Sequence, residues 1–183
     1  MPADDERTVE AVRRRILGYW EADQARPDPP PQFDGGSEDD RRALLALNRA
    51  FMEANDTLDE EKLRRIWSRD PNCVFFNSNG HTYLGLDDWL RVWTHYRTRI
   101  RALRPHKIGT IRIVVRGDMA LLTSDHFARY FDWISADPVP PLFEWPYVRH
   151  TQVAVREGRD WKMIHAHFSM AAAGMRPDRG SPP

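Results

Sequence analysis

The chain predicts an α+β protein with a mainly antiparallel sheet, on three observations. Apolar residues recur at helical spacing through most of the first half. Beyond Pro105 they alternate, with turns at Gly117-Asp118 and Glu157-Gly158-Arg159-Asp160. A proline- and glycine-rich break, RPDPPPQFDGGSED, separates a first helical run from the remainder.

The elements follow in order. RTVEAVRRRILGYWEADQ places Val9, Val12, Ile16 and Tyr19 or Trp20 on one helical face, and the prolines from Pro27 to Pro31 forbid its continuation. This divides the chain into an N-terminal helical extension (1–26), a linker (27–39), a main domain (40–172) and a polar tail (173–183) expected to be disordered. Ser37 and the acidic residues after it suit the start of a helix through RRALLALNRAFMEAND, with Leu44, Leu47, Phe51 and Ala54 as its apolar stripe. DEEKLRRIWS gives a second helix, buried through Leu63, Ile66 and Trp67 and stopped by Pro71. CVFFN and HTYLG form a hairpin about the turn SNG. LDDWLRVWTHYRTRIRAL predicts one long helix, because Trp89, Trp93, Tyr96, Ile100 and Leu103 repeat at intervals of four and three. Four strands then meander through HKIGTIRIVVRGD, MALLTSDHFARYFDWI, EWPYVRHTQVAVREG and WKMIHAHFS.

Composition narrows the function. Of 183 residues, 27 are basic and 27 acidic, so no basic field exists to attract nucleic acid or anionic lipid. No apolar run approaches the ~20 residues of a membrane-spanning helix, and the acidic opening MPADDERTVE has neither the character of a signal peptide nor that of a transit peptide. The single Cys73 fits a reducing compartment, so a soluble cytoplasmic protein is expected. Seven tryptophans, five tyrosines and eight phenylalanines can build a core and can equally wall a pocket for an apolar ligand. Glycine-rich phosphate loops, nucleophile elbows and zinc-ribbon cysteine sets are missing from the sequence.

The order of helix, helix, hairpin, long helix and four strands, with DPNCVFFNSNG, YLGLDDW, VVRGDMALLTSD and VRHTQVAVREGRDWKMIHAHFS in succession, resembles the SnoaL-like branch of the nuclear transport factor 2-like, ketosteroid isomerase-like superfamily over about Asp40 to Met170. The resemblance implies a curved sheet wrapped around helices to leave a cone-shaped pocket, and a homodimer joined through the outer sheet face. The extension and linker lie outside this pattern. One fold hosts isomerases, dehydratases, cyclases, lyases and noncatalytic modules, so function must come from the residues of the pocket.

Strand alternation nominates those residues. Trp161, Met163, His165, His167 and Ser169 share one phase of the last strand. His165 and His167 can move a proton near neutral pH, or hold a metal completed by Asp125, His126 or His150, or serve the fold alone; the metal reading ranks last. Arg149, in phase with Tyr147 and Thr151, can hold an anionic oxygen, and Asp125 can be a carboxylate base. Tyr83 and Tyr130 are candidate oxyanion donors, Trp89 and Trp93 candidate ring walls, and Asn77 and Tyr147 candidate substrate contacts. The expected activity is that of a cofactor-independent lyase or isomerase acting by proton transfer on a hydrophobic, aromatic or phenolic molecule, with no metal. A polyketide-cyclase-like enzyme and a noncatalytic ligand-binding or dimerisation module are the alternatives.

Overall fold

In the computed structural model, residues 7–171 are described; the predicted tail at 173–183 lies outside them. An eight-stranded sheet runs in the order Gln32–Asp34 (β1), Ile111–Arg116 (β5), Met119–Trp133 (β6), Tyr147–Glu157 (β7), Asp160–Met170 (β8), Val74–Phe76 (β2) and Thr82–Leu84 (β3), with Ile100–Ile108 (β4) paired to the second half of β6. The four predicted meander strands are β5 (Ile111–Arg116), β6 (Met119–Trp133), β7 (Tyr147–Glu157) and β8 (Asp160–Met170), antiparallel to one another in sequence order. The hairpin β2 (Val74–Phe76) and β3 (Thr82–Leu84) joins through a parallel pairing of β2 with β8. Within the proline-rich segment, β1 (Gln32–Asp34) adds a parallel edge strand on β5. Gly35 ends it at φ +79° and passes so close to the Val115 carbonyl that a Cβ there would stand 2.6 Å from its oxygen.

Helix α2 (Glu38–Thr57) lies against the sheet and begins with a capping box. The Ser37 hydroxyl accepts from the Asp40 amide while the Asp40 carboxylate accepts from the Ser37 amide, a pairing worth roughly 1 kcal/mol. Its predicted stripe is buried throughout, with Leu44, Phe51 and Ala54 fully enclosed. Helix α3 (Glu60–Ile66) is capped by Asp59 and buries Leu63. Among the described residues no helix is long and apolar enough to cross a membrane.

The long helix expected through Leu103 ends earlier. Helix α4 covers Gly85–Arg97, and Ile100–Ile108 forms strand β4 instead. The interval of three or four suits both states at Ile100 and Leu103, and pairing of Ile100 with Trp133 and Ala102 with Phe131 decides for the strand. Pro105 falls inside a register irregularity of β4, where no ladder hydrogen bond is demanded of it.

Helix α1 (Val9–Gln24) packs on the outer face of the sheet, burying Val12, Ile16 and Asp23. Its anchors are polar. Asp132, 1% exposed, accepts hydrogen bonds from the guanidinium groups of Arg13 on α1 and Arg101 on β4 at 2.9–3.1 Å. The Tyr130 hydroxyl donates to the enclosed Asp23 carboxylate at 2.6 Å.

Candidate functional site

The concave side of the sheet, α2 and α4 enclose an aromatic cavity whose walls include Phe75, Trp89, Trp93, Phe131 and Phe168. Phe75 stacks on Trp89 at 3.5 Å between ring centroids, and Trp89 meets Trp67 edge-on at 4.3 Å. Contacts of this kind add ~0.5–1.5 kcal/mol each beyond burial and fix the wall rigidly. The free space is about 40 Å³, room for a few waters. A larger guest must therefore displace part of the lining, which includes Tyr96 and Leu142 and Phe143 of a 3₁₀ turn, Pro141–Phe143.

One cation faces this interior. Arg129 of β6 lines the cavity, its guanidinium 5.5 Å from the ring centroids of both Phe131 and Phe168. Its Nη2 donates to Ser78 Oγ at 3.2 Å, while its Nε is sealed from solvent without a partner. No carboxylate lies within ion-pair distance of it among the described residues. Burial pulls its pKa down to about 10, opposed by the negative charge of Asp56, so it stays cationic at neutral pH. Asn55, Asn77, Ser78 and Tyr96 complete the polar lining.

Asp56, next to the lining residue Asn55, also accepts from His106 on β4, with Nδ1 to Oδ2 at 2.6 Å. Deeper under α2, His150 is 2% exposed with neither ring nitrogen partnered, against Phe127 at 5.6 Å and Phe168 at 5.9 Å. Burial first, and then the nearby His106, depresses its pKa to about 3, so it is a neutral core imidazole.

The sequence candidates divide between this cavity and other places. Trp89, Trp93 and Asn77 line it. His165, His167 and Arg149 do not; Arg149 alternates with the buried Val148 and His150, and for the two histidines the reason is a bulge. Val153 pairs with His165 but Ala154 pairs with Met163, leaving Ile164 as an extra residue. Trp161 and Met163 face the core before the bulge, Ala166 and Phe168 after it, and both histidines turn outward. His167 and Arg149 are exposed. His165 Nδ1 lies 3.0 Å from the Val74 carbonyl, and the Phe76 ring sits edge-on to both imidazoles. Burial lowers the His165 pKa, the strand contact opposing it.

A second irregularity, between Ser124 and Phe127 of β6, leaves Asp125 exposed beside Arg112 at 3.4 Å and turns Phe127, Arg129 and Phe131 inward. Tyr130 consequently faces outward beneath α1. Tyr147 packs there too, against Tyr19 and Trp145, its ionisation pushed up by burial and by the Asp23 charge. The Tyr83 hydroxyl accepts from Asn79 within the hairpin, away from the cavity lining. Arg129 was the residue that alternation alone could not single out. Its signal was a cation between Phe127 and Phe131 in one phase of β6, legible only once the bulge is located.

A curved antiparallel sheet folded over helices around an aromatic cavity defines the nuclear transport factor 2-like class. The family model described as "SnoaL-like domain" matches residues 44–173, and the chain belongs to that family. Similar solved structures include a nuclear transport factor 2-like protein from Cytophaga hutchinsonii (14% identity, TM-score 0.56, 72% of this chain and 98% of that one). Another, from Streptomyces avermitilis, bears a provisional dehydratase name within the same family (19% identity, TM-score 0.57, 74% and 99%). A third, from Shewanella frigidimarina, carries a provisional ketosteroid isomerase name (17% identity, TM-score 0.51, 69% and 94%). At these identities the likeness shows the fold alone. No curated protein matches the sequence.

Proposed function

We propose that the cone takes up a small aromatic molecule carrying an anionic oxygen, or one that becomes anionic, and promotes a lyase or isomerase step through it. The observation behind this reading is Arg129, a part-buried guanidinium set among aromatic rings, with its Nε sealed and unpartnered and no carboxylate within ion-pair distance among the described residues. A ligand oxyanion supplies the missing partner. Around it Asn77, Ser78 and Tyr96 offer further hydrogen-bonding groups. An enolate or phenolate developing in such a cavity is stabilised by dipoles already in place, the effect that most lowers barriers of this kind. The dehydratase and isomerase names among distant structures of the same fold agree with this chemistry and do not specify it.

A second reading has its own observation. Among the described residues the cavity lining contains no carboxylate and no imidazole, which suits a noncatalytic binder of aromatic anions. Proton exchange α to the carbonyl of 2-tetralone in D₂O, followed by NMR, separates the two. An enolate-stabilising enzyme accelerates exchange over buffer, and Arg129→Gln lowers that acceleration by ~10²-fold or more. Saturable binding of 2-tetralone without faster exchange would leave only the binder.

A further inference from the structure

The last turns of α1 and the proline-rich linker wall a second cavity, of about 510 Å³, against α2 and β4. Trp20, Pro29 and Pro31 form one side, Leu45 and Ile111 the other. Three of these five residues precede the stretch that matches the family model, so the cavity owes its shape to what this chain adds to the family domain.

The floor and rim differ in chemistry. On the floor, His106 keeps Nδ1 against the Asp56 carboxylate, so in the neutral ring Nδ1 carries the proton and Nε2 is the acceptor. Nothing among the described residues bonds that Nε2. Asn48, 4% exposed, lines the same cavity with its side-chain oxygen buried and unpartnered. At the rim Arg49 is exposed, with no carboxylate or carbonyl partner among the described residues. The other cation, Lys107, is already held by Asp28 at 3.1 Å and by the Arg26 carbonyl at 2.8 Å.

We infer that this cavity is a second ligand site, built for a small hydroxylated carboxylic acid. The hydroxyl donates its one proton to His106 Nε2, the acceptor that Asp56 fixes, with Asn48 Oδ1 beside it to accept from a second hydroxyl or a water, while the carboxylate meets Arg49 at the rim. The body of the molecule lies between Trp20 and the apolar wall. An ammonium in place of the carboxylate would meet Arg49 unfavourably, and a ligand without a hydroxyl would leave His106 Nε2 without a ligand donor. This site does not depend on the aromatic cone or on the function proposed for it.

The test is a fluorescence titration with 6-hydroxy-2-naphthoate, together with ¹⁵N imidazole shifts of His106 in the unmodified protein. Saturable binding is expected, with a His106 Nε2 shift at saturation. Arg49→Gln, at an exposed position that leaves the fold intact, weakens binding about tenfold, as loss of a charge-assisted hydrogen bond does. 2-Naphthoate binds this cavity more weakly than the hydroxy acid, and the concentration at which the hydroxy acid moves the His106 signal is the same in Arg129→Gln, whatever that variant loses in the cone. Equal affinities in Arg49→Gln and the parent, a His106 signal that does not move, or no saturation at millimolar probe would each overturn the inference. Loss of the His106 shift in Arg129→Gln would trace that shift to the cone and overturn it as well.

Discussion

Arg129 presents its guanidinium to the Phe168 ring at 5.5 Å in an interior where, among the described residues, no carboxylate pairs with it. A charge drawn partly out of water without a counter-ion costs the empty fold stability. Replacing the charge by a side chain of similar length and no charge removes that cost. Arg129→Met is therefore expected to raise stability by about 1–2 kcal/mol in urea unfolding while abolishing affinity for aromatic anions. A variant that loses both stability and binding would mark Arg129 as structural.

His150 gives a pH dependence with a definite sign. Its folded pKa of about 3 lies below the ordinary imidazole value, so the unfolded chain binds the proton first as pH falls. Its contribution is complete above the unfolded pKa and is lost as pH drops through the interval towards 3. Between pH 7.5 and 5.0 this one group removes about 2 kcal/mol. His150→Leu should flatten the urea-derived stability between those two pH values by that amount relative to the parent, other titrating groups being common to both proteins.

The clamp at Asp132 holds α1 to the sheet. Asp132 is almost fully enclosed while Arg13 and Arg101 stay 30% and 61% exposed, so Asp132→Ala leaves two solvated guanidinium groups and is expected to cost about 1–2 kcal/mol, from the lost charge-assisted hydrogen bonds. Limited proteolysis should then cut near residues 25–31 in the variant sooner than in the parent. Unchanged cutting would show that the apolar contacts of Val12 and Ile16 hold the helix by themselves.

Arg7, just ahead of that helix, pins the segment before the 3₁₀ turn that lines the cone. Arg7 Nε donates to Glu144 at 2.7 Å and Arg7 Nη2 to the Val139 carbonyl at 2.7 Å, while the Val139 amide donates back to the Arg7 carbonyl at 2.9 Å. These contacts fall on the segment that carries Leu142 and Phe143 over the cavity. Arg7→Ala should speed amide hydrogen exchange between residues 137 and 145 while leaving β7 and β8 protected. Equal exchange in both proteins would mean that the turn is held from within the cone.

The fold was legible because its signals are long and redundant. The α2 stripe, the meander and the hairpin each rest on several residues whose burial agrees with the pattern. The site was less legible because it hangs on phase, and phase was altered by single residues. The bulge at Ile164 turned His165 and His167 to the outer face, and the irregularity after Ser124 turned Arg129 inward and Asp125 outward. A period of two carries no warning of an inserted residue. Trp89 and Trp93 were placed on the pocket side because a helix face averages over several turns and tolerates no such slip. His106 and Asp56 lie 50 residues apart in sequence, and only the packing of α2 on β4 brings them together.

The most direct measurement is the ionisation of 2-naphthol bound to the protein, read from the phenol and phenolate absorption bands across pH. An anion site at Arg129 predicts a pKa lower in the complex than in free solution, with the shift abolished in Arg129→Gln. A pKa raised on binding, or lowered equally in the variant, would contradict a cone built to hold an aromatic oxyanion.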